Sequence, residues 1–353
     1  MATALKQPRR DAYVHSDDDC REQETLAENR IGQIGAEMRR RLPGAVRVPA
    51  RPSWKLVGLL VLAFVLLYYP IGMAITHAID DDVGFQAPPQ MQADGGSRAV
   101  AVAAALIDRE VNRHRWVAND PFFLPSAALD NMPNFQQGIV SALARFAFEM
   151  TDQIGRVRGT SQTDPDLQKA AGELQYPGDV WVFDFSTSLA PTVTSEARYR
   201  AAARSLLAYN QRLANGAAVF ERRADNLLAT LDRLALDLGA SSATIEKHLA
   251  ESGGLIDTDA DDIFYGIKGQ VYAYHLLLRE LRQDYANVIS EREIDNVWDD
   301  TLASLRAAAR LQPWVVVNGA PDGQFLPSHL AAQGFYLLRA RAKLREITNI
   351  LLK

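Results

Sequence analysis

One stretch of the chain is apolar on every face that a helix would present. "LVGLLVLAFVLLYYPIGMAI", Leu56 to Ile75, is twenty residues without a charge. At 1.5 Å per residue a helix of that length covers about 30 Å, the thickness of a bilayer's hydrocarbon layer. Core helices of soluble domains rarely stay apolar all round for so long, so the run predicts a membrane-spanning helix. Trp54 and Lys55 at its start suit a membrane interface, and Pro70 removes a backbone hydrogen bond in its outer half. A cleaved signal peptide is the competing reading, with Gly72–Ala74 as the cleavage site. It would require an n-region of more than fifty residues and an overlong apolar core. The anchor reading is preferred.

Beyond residue 97 the apolar positions recur at helical spacing. Ser97 precedes "RAVAVAAALIDREVNRH" as a helix cap. Further helical patterns cover Phe135–Ile154, Ser195–Leu238, Ile263–Ile289, Glu291–Leu311 and His329–Leu352. "DLG" at Asp237–Gly239 reads as a helix stop, with Ser241 or Ser242 opening the next helix. Only "VWVFDF", Val180–Phe185, alternates as a strand would. Helices with short connections bury their apolar stripes by packing antiparallel. The predicted fold class is therefore all-α: one N-terminal transmembrane helix followed by a bundle or a stack of helical hairpins. The predicted division is a disordered tail over 1–53, the anchor over 54–79, a Pro/Gly-rich linker over 80–97 and an all-α domain over 98–353.

Charge orients the anchor. Residues 1–55 carry eleven Lys/Arg, including Arg39–Arg41, whereas Asp80–Asp82 follow the apolar run and no basic residue appears before Arg98. The positive-inside rule then puts the N-terminus in the cytoplasm and residues 80–353 on the far side. That larger part carries 27 basic and 35 acidic residues, and the chain's single cysteine, Cys20, lies outside it. One cysteine excludes an intramolecular disulfide and a multi-cysteine metal cluster. A cysteine-free outer part suits a bacterial periplasm, so the expected location is a bacterial inner membrane with the main domain periplasmic. A net charge of −5 disfavours nucleic acid as a partner. The lipid bilayer is the expected partner of the anchor. The arginines beside it either set topology alone or also hold anionic head groups.

The segment "NDPFFLPSAALDNMPNFQQGI", Asn119–Ile139, interrupts the helical pattern with three prolines, three phenylalanines and no lysine or arginine. It has an echo in "PWVVVNGAPDGQFLPSHLAAQGFYLLRAR" from Pro313 and a looser one from Trp181. The three tryptophans, at 116, 181 and 314, are spaced 65 and 133 residues apart, consistent with duplicated helix–loop–helix units or with coincidence. Pro125-Ser126 and Pro327-Ser328 are helix-start chemistry. Phe122 and Phe123 would fold back to close the end of the bundle. Alternatively, Phe123 with Asn131, Asn134 and Gln136 forms an exposed aromatic and amide surface for a partner or glycan.

Tests for chemistry return little. The sequence holds no phosphate-binding P-loop, no dinucleotide glycine fingerprint and no serine-nucleophile elbow. His114, His248, His275 and His329 form no pair at i+3 or i+4, and neither a metal ion nor a cofactor is expected. "DTDADD", Asp257–Asp262, spaces carboxylates as a calcium loop does but lacks the central glycine and terminal glutamate. A negative first helical turn is the preferred reading. Arg156 and Arg158 in "IGRVRGTSQ" offer donors for a phosphate or carboxylate, or else cap the preceding helix. Glu110, just before the irregular loop, is the weak candidate for a hydrolase's general acid, a role that needs a partly apolar pocket. Val219, Leu227, Leu231, Leu234 and Leu238 form a heptad-like stripe, either bundle core or the seam of a homo-oligomer.

Several segments together resemble one bacterial family. "SRAVAVAAALIDREVN", "NDPFF" followed by "LDNMPNFQQGI", "IGRVRGTSQTDPDL", "VFERRADNL", "DDIFYGIKGQ" and "HLAAQGFYLLRARAKL" look like the domain-of-unknown-function family 2333, over the anchor and nearly all of the outer part. The resemblance implies a bacterial inner-membrane protein of Gram-negative type. It brings no activity and no catalytic residues. The expected role is a non-catalytic scaffold or binding protein of the envelope, working with envelope proteins or cell wall. The alternatives are a peptidoglycan hydrolase using Glu110 and a transmembrane sensor that signals through the tail.

Overall fold

The computed structural model describes residues 53–154, 163–183, 190–251, 257–313, 315–319 and 326–353. The expectations placed on residues 1–52, Arg156, Arg158, Trp314 and Phe325 lie outside the described residues. The chain divides into two units, Met1–Ala63 and Phe64–Lys353. The described part of the first is the beginning of helix α1, Trp54–Thr76, which continues into the second. No residue of α1 is buried, and its 23 residues, with an 18-residue window of mean hydropathy 2.3, make it long and apolar enough to cross a membrane.

From Phe64 onward the described residues form helices and loops, with an isolated antiparallel bridge between Asn318 and Ser328. The fold class is all-α. The helices are α2 (Arg98–Asp108), α3 (Asn131–Glu149), α4 (Pro165–Leu174), α5 (Ser195–Ala214), α6 (Ala224–Glu251), α7 (Thr258–Asp284), α8 (Ala286–Glu291), α9 (Asp295–Ala309) and α10 (His329–Leu351). Val180–Phe183, the described part of the alternating stretch, takes no regular structure.

Two helices lie at the centre because each contains a run that is apolar on nearly every face. "AVAVAAALI" of α2 is buried from Ala99 to Ile107, and "VYAYHLLL" of α7 from Val271 to Leu278. A helix apolar all round must be surrounded, and α7 packs against α2, α3 and α9 while α2 also packs against α5. The closest approach is between α3 and α7. A Cβ added at Gly138 would overlap the Gly266 carbonyl oxygen and sit 2.9 Å from the Gln270 amide nitrogen. A Cβ at Gly269 would likewise overlap the Phe135 carbonyl oxygen. Glycines facing carbonyls in both directions bring the two backbones into contact, closer than the usual interhelical distance of about 8–10 Å allows.

Helix starts follow capping chemistry. Ser97 accepts from Val100 N, Asp164 from Asp166 N and Leu167 N, Thr194 from Ala197 N and Ser328 from Ala331 N. Asp284 of α7 reinforces the first of these by accepting from Ser97 Oγ at 2.6 Å and from the backbone of Arg98 and Ala99. Ser126 does not open α3; its hydroxyl donates to Asp120, and Asp130 accepts from Asn131 N at the start of that helix.

Three helical boundaries differ from expectation, each for a local reason. Ser195–Leu238 is broken after Ala214, where Gly216 adopts φ 71° and Ala217 N bonds back to Arg212 O, the glycine-terminated Schellman stop. The expected stop at Gly239 is absent: α6 runs through it, and the glycine instead leaves room for Arg341 of α10, whose Cζ would lie 3.0 Å from an added Cβ. The hydroxyls of Ser241, Ser242 and Thr244 bond to carbonyls one turn earlier and stay in the helix. Helix α4 was not anticipated, although "DPDL" carries its signal: Asp164 as cap and Pro165 in the first turn.

Candidate functional site

A polar network ties the segment after α1 to the bundle. Arg109 is 2% exposed and Glu110 is fully buried, joined Nε to Oε1 at 2.7 Å. Arg109 also donates to the Tyr272 hydroxyl and the Asp80 carbonyl. Burial opposes the Arg109 charge, and Glu110, Tyr272 and Asp80 more than restore it. Lys268 of α7 is 1% exposed and pairs with Asp81 at 2.6 Å; burial pulls its pKa below the ordinary lysine range despite that partner. Tyr272 and Arg279 hold the carbonyls of Asp82, Val83 and Phe85. "DDD" after the apolar run is thus clamped by Arg109, just beyond α2, and by Lys268 and Tyr272 of α7.

Glu110 contacts Arg109, Gln136 and His114 in this network, and its carboxylate presents no surface to a polymeric substrate. Gln136 is fully buried as well. Its amide nitrogen donates to Arg115 O at 2.9 Å and its oxygen accepts from Val117 N, which fixes the turn where Arg115 adopts φ 64°. Asn131 and Asn134 stand just before Gln136, in the first turn of α3. Asn134 Nδ2 donates to Asp262 Oδ1 at 2.6 Å and to Asp130 O. Phe123 is 48% exposed, and Phe122 does not fold back on the bundle, being 83% exposed. The candidates from one loop are therefore separated: Gln136 inside, Phe123 outside, and the asparagines beside an acidic cluster.

That cluster is Asp130, Asp261 and Asp262, whose ligand oxygens all lie within 4.8 Å of one another. Burial and then the Asp130 charge push the Asp261 carboxyl above its ordinary range; burial and then Asp261 do the same for Asp262. Three carboxylates supply half of the roughly six oxygens that a calcium or magnesium ion requires. "DTDADD" does not ring a common centre, however. Asp257 turns to His248, at 2.7 Å, while Asp261 and Asp262 face Asp130.

Asp262 also borders an open groove between α3, α6 and α7, a cavity of about 360 Å³. Arg145 and Asp237 face each other across it at 3.1 Å, and Asp237 accepts a 2.6 Å bond from Tyr274. Ser141, Ser241, Thr244 and Gln270 line it. Burial and the Asp237 charge hold the Tyr274 hydroxyl far above its ordinary pKa. A neighbouring cavity of about 370 Å³ shares Ser141, Arg145 and Asp237 and reaches Phe148. One turn along α3, Glu149 is buried with Oε1 unbonded, and burial raises its carboxyl above the usual range against the pull of Arg233. Sequence reasoning missed Arg145, Asp237 and Glu149. They come from two helices more than eighty residues apart, and no local motif joins them.

The heptad-like stripe is core from Leu227 on, with Leu227, Leu231, Leu234 and Leu238 all buried, whereas Val219 lies before α6 and is half-buried.

No curated protein and no solved structure matches the chain. A family match covers residues 76–259, from the last residue of α1 to the start of α7, a narrower span than the resemblance in the motifs implied. With more than half of its length matched, the chain belongs to the DUF2333 family, described as uncharacterized proteins conserved in bacteria.

Proposed function

We propose that the protein is a single-pass bacterial inner-membrane protein, N-terminus in the cytoplasm, whose helical domain works in the periplasm as a non-catalytic binding or scaffold subunit. The observation that carries this reading is the groove between α3, α6 and α7. Its central charges, Arg145 and Asp237, already neutralise each other at 3.1 Å, so a bound group need not supply a net charge. The Ser141 hydroxyl and the Gln270 amide can donate along an open trough, while the Ser241 and Thr244 hydroxyls, whose protons go to Asp237 O or Gln270 Oε1 and to Ala240 O, present acceptor oxygens. Such a mixed polar lining suits a peptide or glycan strand of the envelope. The span of α1 and the distribution of Lys/Arg around it support the location.

The test uses full-length protein in native membranes with a photocrosslinking residue at Thr244, and at the exposed Phe335 of α10 as a control. An adduct with one envelope protein or with peptidoglycan at Thr244, absent at Phe335, supports binding through the groove. Equal labelling at both sites sinks it. Release of soluble fragments from purified peptidoglycan, abolished by Glu110→Gln, would overturn the non-catalytic assignment.

A further inference from the structure

We propose that the Phe122–Phe123 loop, with Trp181 and Phe183, is a second membrane contact: an aromatic patch seated in the interfacial layer of the bilayer that α1 spans. The inference rests on α1 crossing a membrane and says what the adjoining domain does there.

Phe122, Phe123 and Phe183 are 83%, 48% and 40% exposed. The rings form one chain, with Phe122–Phe123, Phe123–Trp181 and Trp181–Phe183 centroids 5.6, 5.9 and 5.6 Å apart. The loop is fastened along the outer half of α1. Tyr68 donates to the Phe123 carbonyl at 3.0 Å and Tyr69 to the Phe122 carbonyl at 2.7 Å. A Cβ at Gly72 would overlap the Pro125 ring, so that glycine lets the loop lie against the helix. Tyr68 and Gly72 precede Thr76 by eight and four residues, which places them about 12 and 6 Å inside the outer end of α1 at the helical rise. A helix that crosses the membrane therefore carries this loop below its own outer end, to the depth of about 5–10 Å at which interfacial side chains sit.

The loop's backbone is prepared for such a place. Four consecutive carbonyls have partners: Pro121 O accepts from Leu124 N, Phe122 O from Tyr69, Phe123 O from Tyr68 and Leu124 O from Ala127 N. Pro121 and Pro125 have no N–H to satisfy. The N–H groups of Phe122 and Phe123 have no protein partner among the described residues. The loop therefore suits the hydrated interfacial layer and not the hydrocarbon itself, where unsatisfied backbone groups exclude irregular chain. Three nearby acids are neutralised: Asp120 pairs with Arg115 at 2.8 Å, Asp80 with Arg109 and Asp81 with Lys268. Trp and Tyr, here Trp181, Tyr68 and Tyr69, are enriched at this level of a membrane, and Phe takes the apolar side of interfacial segments.

The experiment uses the full chain with Cys20→Ser and one nitroxide-labelled cysteine, at Phe122, Phe183, Leu66 of α1 or Leu236 of α6. Each variant is reconstituted in phosphatidylcholine–phosphatidylglycerol vesicles and measured for collision with oxygen and with a water-soluble nickel chelate. Labels at Phe122 and Phe183 should show an oxygen-to-nickel ratio several-fold above Leu236 and below Leu66. If Leu66 reads as lipid while Phe122 and Phe183 match Leu236, the patch lies in water: this inference falls and the anchor stands. If Phe122 is shielded from both reagents, protein covers it and the inference falls again. If Leu66 itself collides with nickel, the anchor reading fails and takes this one with it.

Discussion

Gly138→Ala tests the central packing of the bundle. In an exposed helix interior the change stabilises by about 1 kcal/mol, because alanine loses less backbone entropy. Here the new methyl would lie 2.9 Å from Gln270 N, where ordinary contact begins near 3.4 Å, and closer still to Gly266 O. Both atoms are backbone, so no side chain can rotate away; the Gly266 O contact sets the demand, and α3 and α7 must separate by about an ångström or more. Overpacking of a tight core costs about 1–3 kcal/mol, and a backbone collision belongs at the upper end. The net expectation is a loss of about 2 kcal/mol after the propensity gain. Gly172→Ala is the internal control. It lies in α4 with nothing within 4 Å of an added Cβ, so propensity alone acts and about 1 kcal/mol is gained. Guanidinium unfolding of the full-length protein in detergent, followed by tryptophan fluorescence with Trp116 and Trp298 buried, reads both. A Gly138→Ala midpoint at or above wild type would refute the close α3–α7 approach.

His275 of α7 is fully buried with neither ring nitrogen hydrogen-bonded. Burial, then Arg306 and Arg279, push its pKa down to about 4, while the Leu302 backbone opposes the shift without reaching hydrogen-bond geometry. The folded pKa lies below the unfolded one, so the unfolded chain binds the proton first and stability falls as pH drops from about 6.5 to about 4, by roughly 3 kcal/mol in all. Denaturant midpoints across that range should fall for wild type and much less for His275→Leu; parallel curves would refute the assignment. Glu110→Gln leaves the buried Arg109 with a weaker partner, and breaking a buried pair costs about 3–5 kcal/mol at most, so a clear drop in Tm is expected and an unchanged Tm contradicts the network. Asp262→Asn removes a partly buried carboxylate that burial, then Asp261 and Asp130, hold above its ordinary pKa. It should stabilise the protein at neutral pH by no more than about 1 kcal/mol, read as a rise in Tm, and that gain should vanish at acid pH where the carboxyl is protonated anyway.

The parts of this protein that the sequence determined by itself are those governed by local physics. Twenty uncharged residues suffice for α1 whatever surrounds them. Ser97 and Ser328 cap the helices that follow them because the hydroxyl reaches the backbone three residues on. The apolar runs Ala99–Ile107 of α2 and Val271–Leu278 of α7 require burial, and both are central. Where neighbours override local rules, sequence reading went astray. Gly239 looks like a stop and is a space for Arg341; Ser126 looks like a cap and binds Asp120. The motif "NFQQGI" was legible as a distinctive string, yet its meaning is a pairing: Phe135 and Gly138 meet Gly269 and Gly266, residues more than a hundred positions away. The groove is likewise a tertiary product, because Arg145 and Asp237 become partners only once α3 and α6 stand against the same face of α7. Periodicity and capping act over one or two turns, whereas helix contacts and charge pairing depend on distances that the chain sets only when the bundle closes.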